Sequence, residues 1–171
     1  MTINSTIRKV GPYIGNGSTS AFPFSFKVFQ ASDLEVIRLN ESTGVEVTLA
    51  LTTDYTVSLN LDQDSNPGGT VTLLAGALAS GYSLTLTSDI ENLQPTDLTN
   101  QGGFYPDVIN DALDRATIQI QQLQSSVDSS LRFPTSDVGN NGTLPSVVLR
   151  AGTLLAFDEN GNPIAGPTIA D

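Results

Sequence analysis

The chain has 171 residues, with 7 basic against 18 acidic side chains and a formal charge of -11, which argues against a basic face gripping phosphate backbones, and nucleic acid is not an expected partner. It contains no histidine and no cysteine. That removes the usual base of nucleophilic triads, the commonest metal ligand, disulfides and thiol nucleophiles. Charged residues make up only 15% of a chain rich in Ser, Thr, Asn and Gln, which describes a polar rather than a highly charged surface.

The N-terminus, MTINSTIRKVGPY, lacks an apolar stretch of signal-peptide length, and the most apolar run, Leu73 to Ala79, is too short to span a bilayer. The expectation is a soluble chain made in a cytoplasm, with no membrane insertion. From Ile3 to Leu86 the apolar residues mostly alternate. The clearest runs are Ala21 to Phe26, Leu34 to Leu39, Val45 to Leu49, Tyr55 to Leu59, Thr70 to Leu73 and Tyr82 to Leu86, which read as strands. Turn-rich segments separate them: Gly15-Asn16-Gly17, Asn40 to Gly44, Asp62 to Gly69 and Ser80-Gly81. Six or seven short strands at this spacing predict a mainly β, antiparallel domain, a small sandwich or barrel-like fold, over residues 1–100. Pro23 is expected at an edge or bulge, and Phe22, Phe24 and Phe26, alternating on one face, are expected in the core.

Pro106 to Leu131 changes the period. Ile109, Leu113, Ala116, Ile120, Leu123 and Val127 are separated by 4, 3, 4, 3 and 4 residues, a heptad seam that fades at Ser130. Pro106 suits a first helical position, Asp107 complements the dipole, and Tyr105, preceding proline, is disfavoured as helix. The rod would be roughly 40 Å long, with Gln, Ser, Asp and Thr on an outer face. Gln121, next to Ile120, is expected to point outward. Many β-branched residues and terminal serines weaken the helix in isolation, so packing must stabilise it. The stripe could cover a sheet of its own chain, but the strict seam favours self-association, with those six residues as the core of a coiled coil over residues 101–133. The number of strands stays open: Leu123 before Val127 favours two and Ile109 before Leu113 favours more.

Phe133-Pro134 ends the rod, and Thr135 to Leu144 is rich in Gly, Asn, Asp and Ser. Residues 134–171 therefore read as a linker and an extended tail with one hairpin, Leu154 to Phe157 returning through Asn160-Gly161 to Ile164. This tail has too few apolar residues for a core of its own and must lean on something else.

No catalytic residues and no cofactor are assigned. Asp33, Asp54, Asp62, Asp89 and Asp97 sit mostly in expected turns, where aspartate has a structural reason to be. Asp62 to Gly68 imitates the start of a calcium loop, but Pro67 stands where glycine is required and Leu73 where a glutamate would close the site, so a strand-connecting turn is the better reading. No metal site is expected.

The strings GPYIGNGSTSAFPFSFKVFQASDLEVIRL, TDYTVSLNLDQDSNPGGTVTL, GYSLTLTSDI and LQPTDLTNQGGFYPDVINDALDRATIQIQQL closely resemble the N-terminal attachment domain of tail fibres and tailspikes of short-tailed, T-seven-like phages. The resemblance covers about Ile7 to Leu123, and RAGTLLAFDENGNPI resembles a segment that often follows that domain. It implies a non-enzymatic homotrimer in the virion tail. Its β domain would dock on tail adaptor or nozzle proteins, and its helix would lead to a distal receptor-binding part, including a second fibre or receptor-binding protein at the C-terminal end. The resemblance leaves the attachment surface unassigned. Typical members are much longer, so the chain reads either as a short anchor or as the amino end of a polysaccharide-depolymerase tailspike. A bacterial adhesin module, which would need an export signal, ranks third.

Overall fold

The computed structural model describes residues 3–98, 103 and 105–169. The expected boundary at 100/101, the two chain ends and part of the LTNQGGFY string lie outside the described residues. Two compact units emerge, Met1–Ser125 and Ser126–Asp171.

The first unit is built from seven strands: β1 (Lys9–Ile14), β2 (Ala21–Phe24), β3 (Leu34–Asn40), β4 (Glu46–Thr48), β5 (Tyr55–Leu59), β6 (Gly69–Leu73) and β7 (Tyr82–Ser88). They form two antiparallel sheets, ordered β1-β7-β3-β4 and β2-β6-β5. The sheets stay separate, so of the two expected architectures the sandwich is the one adopted and no barrel closes. β1 was not among the clear alternating runs. Its register shifts between Val10 and Tyr13, where Gly11-Pro12 interrupts the pattern, and this hides the strand from a two-residue period.

Alternation sends Val36 of β3, Val71 of β6, and Leu84 and Leu86 of β7 inward, where they are fully buried. Phe22, Phe24 and Phe26 join them, with the Phe24 and Phe26 rings 5.1 Å apart, so the aromatic face of β2 and its continuation is core. Pro23 lies on β2, an edge strand of the smaller sheet, where a missing donor costs no ladder bond. Tyr13 Oη donates to the Pro23 carbonyl, tying β1 of one sheet to β2 of the other. Tyr55 does the same in reverse, its buried hydroxyl donating 3.0 Å to the Leu34 carbonyl of the larger sheet.

The turns follow the residues that tolerate them. Asn40 Oδ1 accepts from Ser42 N and Thr43 N between β3 and β4. In the β5–β6 connection Asp62 Oδ1 accepts from Asp64 N and Ser65 N, and Gln63 braces the loop through the Asn60 and Gly68 carbonyls and the Gly68 N–H. Gly68 must be glycine: its φ is 103°, and a Cβ there would lie 2.0 Å from the Phe24 carbonyl oxygen.

Helix α1 (Pro106–Asp128) begins at the expected proline, with the Tyr105 carbonyl accepting from Ile109 N. The second unit starts in its last turn and contains a one-turn helix α2 (Val147–Arg150) and the hairpin β8 (Thr153–Phe157) and β9 (Pro163–Thr168). The hairpin turn carries Gly161 at φ 81°, and Asp158 Oδ1 accepts from Asn160 N and Asn162 N. Those bonds, led by the one from Asn162, hold the Asp158 carboxyl below the usual aspartate value. No helix among the described residues is long and apolar enough to cross a membrane.

Candidate functional site

The two sides of α1 do different work. Asp114, Ile118, Gln121 and Gln122 recur at helical spacing on one side, and Ile118 is fully buried. Gln122 Oε1 accepts from Ile90 N at 3.0 Å and from Ser88 Oγ at 2.9 Å, while its Nε2 donates to the Ile90 carbonyl. It thereby satisfies both backbone groups of Ile90, two residues beyond β7, as a neighbouring strand would. Gln119 Nε2 donates to the Glu91 and Leu93 carbonyls and holds that segment across the helix.

At the other end of this face the helix is gripped by a buried ammonium. Lys27, two residues beyond the last aromatic-alternation serine, donates from Nζ to Asp64 Oδ1 at 2.6 Å, Asp114 Oδ2 at 2.9 Å and Asp111 Oδ1 at 3.1 Å. The side chains of Lys27 and Asp114 are only 7% and 4% exposed. Burial disfavours the lysine charge, but hydrogen bonds to Asp64, Asp114 and Asp111 outweigh it and hold its pKa well above the ordinary value. The same contact holds the Asp64 carboxyl low. Three carboxylate oxygens within 4.8 Å of one another are the spacing of a cation site, and Lys27 is the cation. Its three donors meet three acceptors.

The N-terminal segment completes the seat. Ile3 N donates to Asp114 Oδ1 at 3.2 Å, and Gln121 Nε2 donates to the Ser5 carbonyl at 3.1 Å. Buried Arg8 bonds the Ser5 and Lys27 carbonyls and stands 5.9 Å from the Phe26 ring centroid. Burial lowers the Arg8 pKa while Asp114 opposes that shift.

The opposite side of the helix carries the heptad residues. Ile109 is half-buried; Leu113, Ala116, Ile120, Leu123 and Val127 are exposed, with Ile120 68% accessible. Ile118 and Ile120 are two residues apart, about 200° around an α-helix, which is why one is buried and the other bare. Within the first unit the seam residues share one stripe: Leu113 and Ala116 border a cleft shared with residues 92–96, and Leu113, Ile120 and Leu123 stay more than half exposed.

This corrects the expected polar outer face. Asp114, Gln121 and Gln122 point inward, and Gln121, expected outward, is half-buried against Ser5. The sequence signal for this face was Ile118, a large apolar residue off the seam, followed at three and four residues by side chains that can bond backbone. The Asp62 to Gly68 turn is as expected a strand connection, with Asp62 spent on backbone amides and Asp64 on Lys27.

The first unit is thus a two-sheet β domain that seats α1 by its polar side and leaves much of the helix's apolar side exposed. Among known proteins, the chain is 31% identical to the tail spike protein of Salmonella phage epsilon15, over an alignment of 219 residues covering 96% of this chain. The chain spans 19% of that protein's length. It is thus related to a phage tail spike, as the resemblance in its motifs implied. No family model matches it.

Proposed function

We propose that this chain is a structural component of a phage tail, a fibre or tailspike anchor. Its first unit docks on tail adaptor or nozzle proteins, and its α1 seams assemble into a homotrimer that carries a receptor-binding part. The observation that carries this reading is the inverted helix: Leu113, Ile120 and Leu123 lie 61%, 68% and 65% exposed in heptad register while Asp114 is buried. A helix of a globular domain normally does the reverse. The relationship to a tail spike supports the virion tail as the place where the protein acts. The count of three rests on the resemblance.

The role proposed for this segment is not enzymatic. Among the described residues, the one cluster of three carboxylates is bridged by Lys27 Nζ and serves to hold α1.

The docking half of the reading is tested by joining residues 1–125, which include the seated part of α1, to an unrelated trimeric stem. Particles lacking the native protein should incorporate this fusion. Incorporation only by variants that retain residues 135–171 would place the docking surface in the second unit and refute the assignment.

A further inference from the structure

The second unit has no buried residue among residues 126–169. Its hairpin instead shows Leu154, Leu155, Phe157 and Ile164 at 55%, 51%, 58% and 40% exposure, and α2 adds Val147, Val148 and Leu149, all exposed. Leu155 and Phe157 alternate about Ala156 and so share one face, paired with Ala165 and Pro163 of β9. A two-stranded hairpin with an uncovered apolar face is marginal in water by itself. We infer that further copies of this chain cover it: the face of Leu155 and Phe157 is a second self-association element, ordered only when copies meet. The inference rests on the assembly reading of α1.

Two observations favour copies of the same chain over another occupant. The unit begins in the last turn of α1, where Val127 closes the heptad seam, so copies joined along that seam carry their hairpins on the same connection, residues 129–152, which raises the concentration of each hairpin near the others. Charge also permits it. Between Leu144 and Phe157 the only charged side chain is Arg150, which is occupied by the Pro145 carbonyl at 2.7 Å, whereas Asp158 and Glu159 are confined to the hairpin turn. Identical apolar faces can therefore meet with little like-charge repulsion, which a surface meant for an oppositely charged partner would not need.

The test is hydrogen exchange of the β8–β9 amides in the full chain, combined with light scattering. In wild-type protein these amides should exchange slowly. In Ile120→Asp, which separates the copies at α1, they should exchange at least about tenfold faster while the β1–β7 amides keep their protection. The double variant Leu155→Asp/Phe157→Asp should keep the α1-driven mass and lose hairpin protection alone. Equal hairpin protection in wild type and in monomeric Ile120→Asp, or unchanged protection in the double variant, overturns the inference and leaves the α1 reading intact. If Ile120→Asp keeps its mass, the seam reading falls. The hairpin element then survives only if the double variant becomes monomeric. A monomeric wild-type chain refutes both.

Discussion

Ile118 and Ile120 belong to the same turn of α1 and are chemically identical, yet one is fully buried and the other is 68% exposed. The residues around Ile118 are Asp114, Gln121 and Gln122, each bonded to groups of the first unit, while those around Ile120 are Ala116, Leu123 and Leu113, apolar and bare. The helix is thus held to its own domain by polar bonds aimed at particular atoms and keeps its non-directional apolar surface free. Directed bonds fix one orientation of a helix, whereas an apolar stripe tolerates sliding.

The largest effect should come from the outward face. Ile120→Asp places a carboxylate in each copy at the middle of the seam, replacing a side chain whose burial contributes roughly 1.5–3 kcal/mol per copy. Light scattering should show the proposed trimer falling to monomer. Ser126→Lys, on the exposed flank of the helix, should keep the wild-type mass and serves as the control.

On the inward face, Lys27→Met leaves Asp114 buried without its cation. Removing one partner of a buried pair costs about 3–5 kcal/mol, and the lower end applies because Asp64 and Asp111 are about half exposed. Denaturant unfolding should show that loss. Ile118→Ala should cost somewhat less, about 2 kcal/mol, through the cavity it leaves, and should not lower the assembly mass. If it dissociated the protein as Ile120→Asp does, the two faces would not be separate devices.

A smaller effect is expected from pH. The Asp64 pKa is depressed by Lys27, so its contribution is present above the unfolded carboxylate value of about 4 and is lost as pH falls through the depressed folded value. The Lys27 pKa is raised, so its contribution is complete below the unfolded lysine value of about 10.4 and is lost only as pH rises through the raised one. The melting temperature should therefore fall in acid below about pH 4, less steeply in high salt because Asp64 is half exposed. Lys27→Met should remove that part of the slope. An unchanged acid slope in this variant would show that the clasp does not couple to protonation.

Much of this architecture can be read from period and punctuation. Tyr55 to Leu59 and Tyr82 to Leu86 alternate cleanly because each strand has one face on a single core, and Pro106 and Asn160-Gly161 mark a helix start and a hairpin turn through local dihedral preferences. β1 escaped because Gly11-Pro12 breaks its period. The inward face of α1 escaped for a different reason. Glutamine and aspartate on a helix look like a solvated surface until the groups they bond are known, and Lys27 lies 84 and 87 residues from Asp111 and Asp114.

The sequence by itself determined the strands other than β1, where the helix begins, that no imidazole or thiol chemistry exists, and that six residues form one heptad stripe, because these depend on residue type and on neighbours within a few positions. Only the tertiary structure decided how the strands divide between β1-β7-β3-β4 and β2-β6-β5, which side of α1 faces its own domain, and that Lys27 rather than an external cation joins three carboxylates. Those outcomes depend on which distant groups meet, and no local preference encodes a meeting across 87 residues.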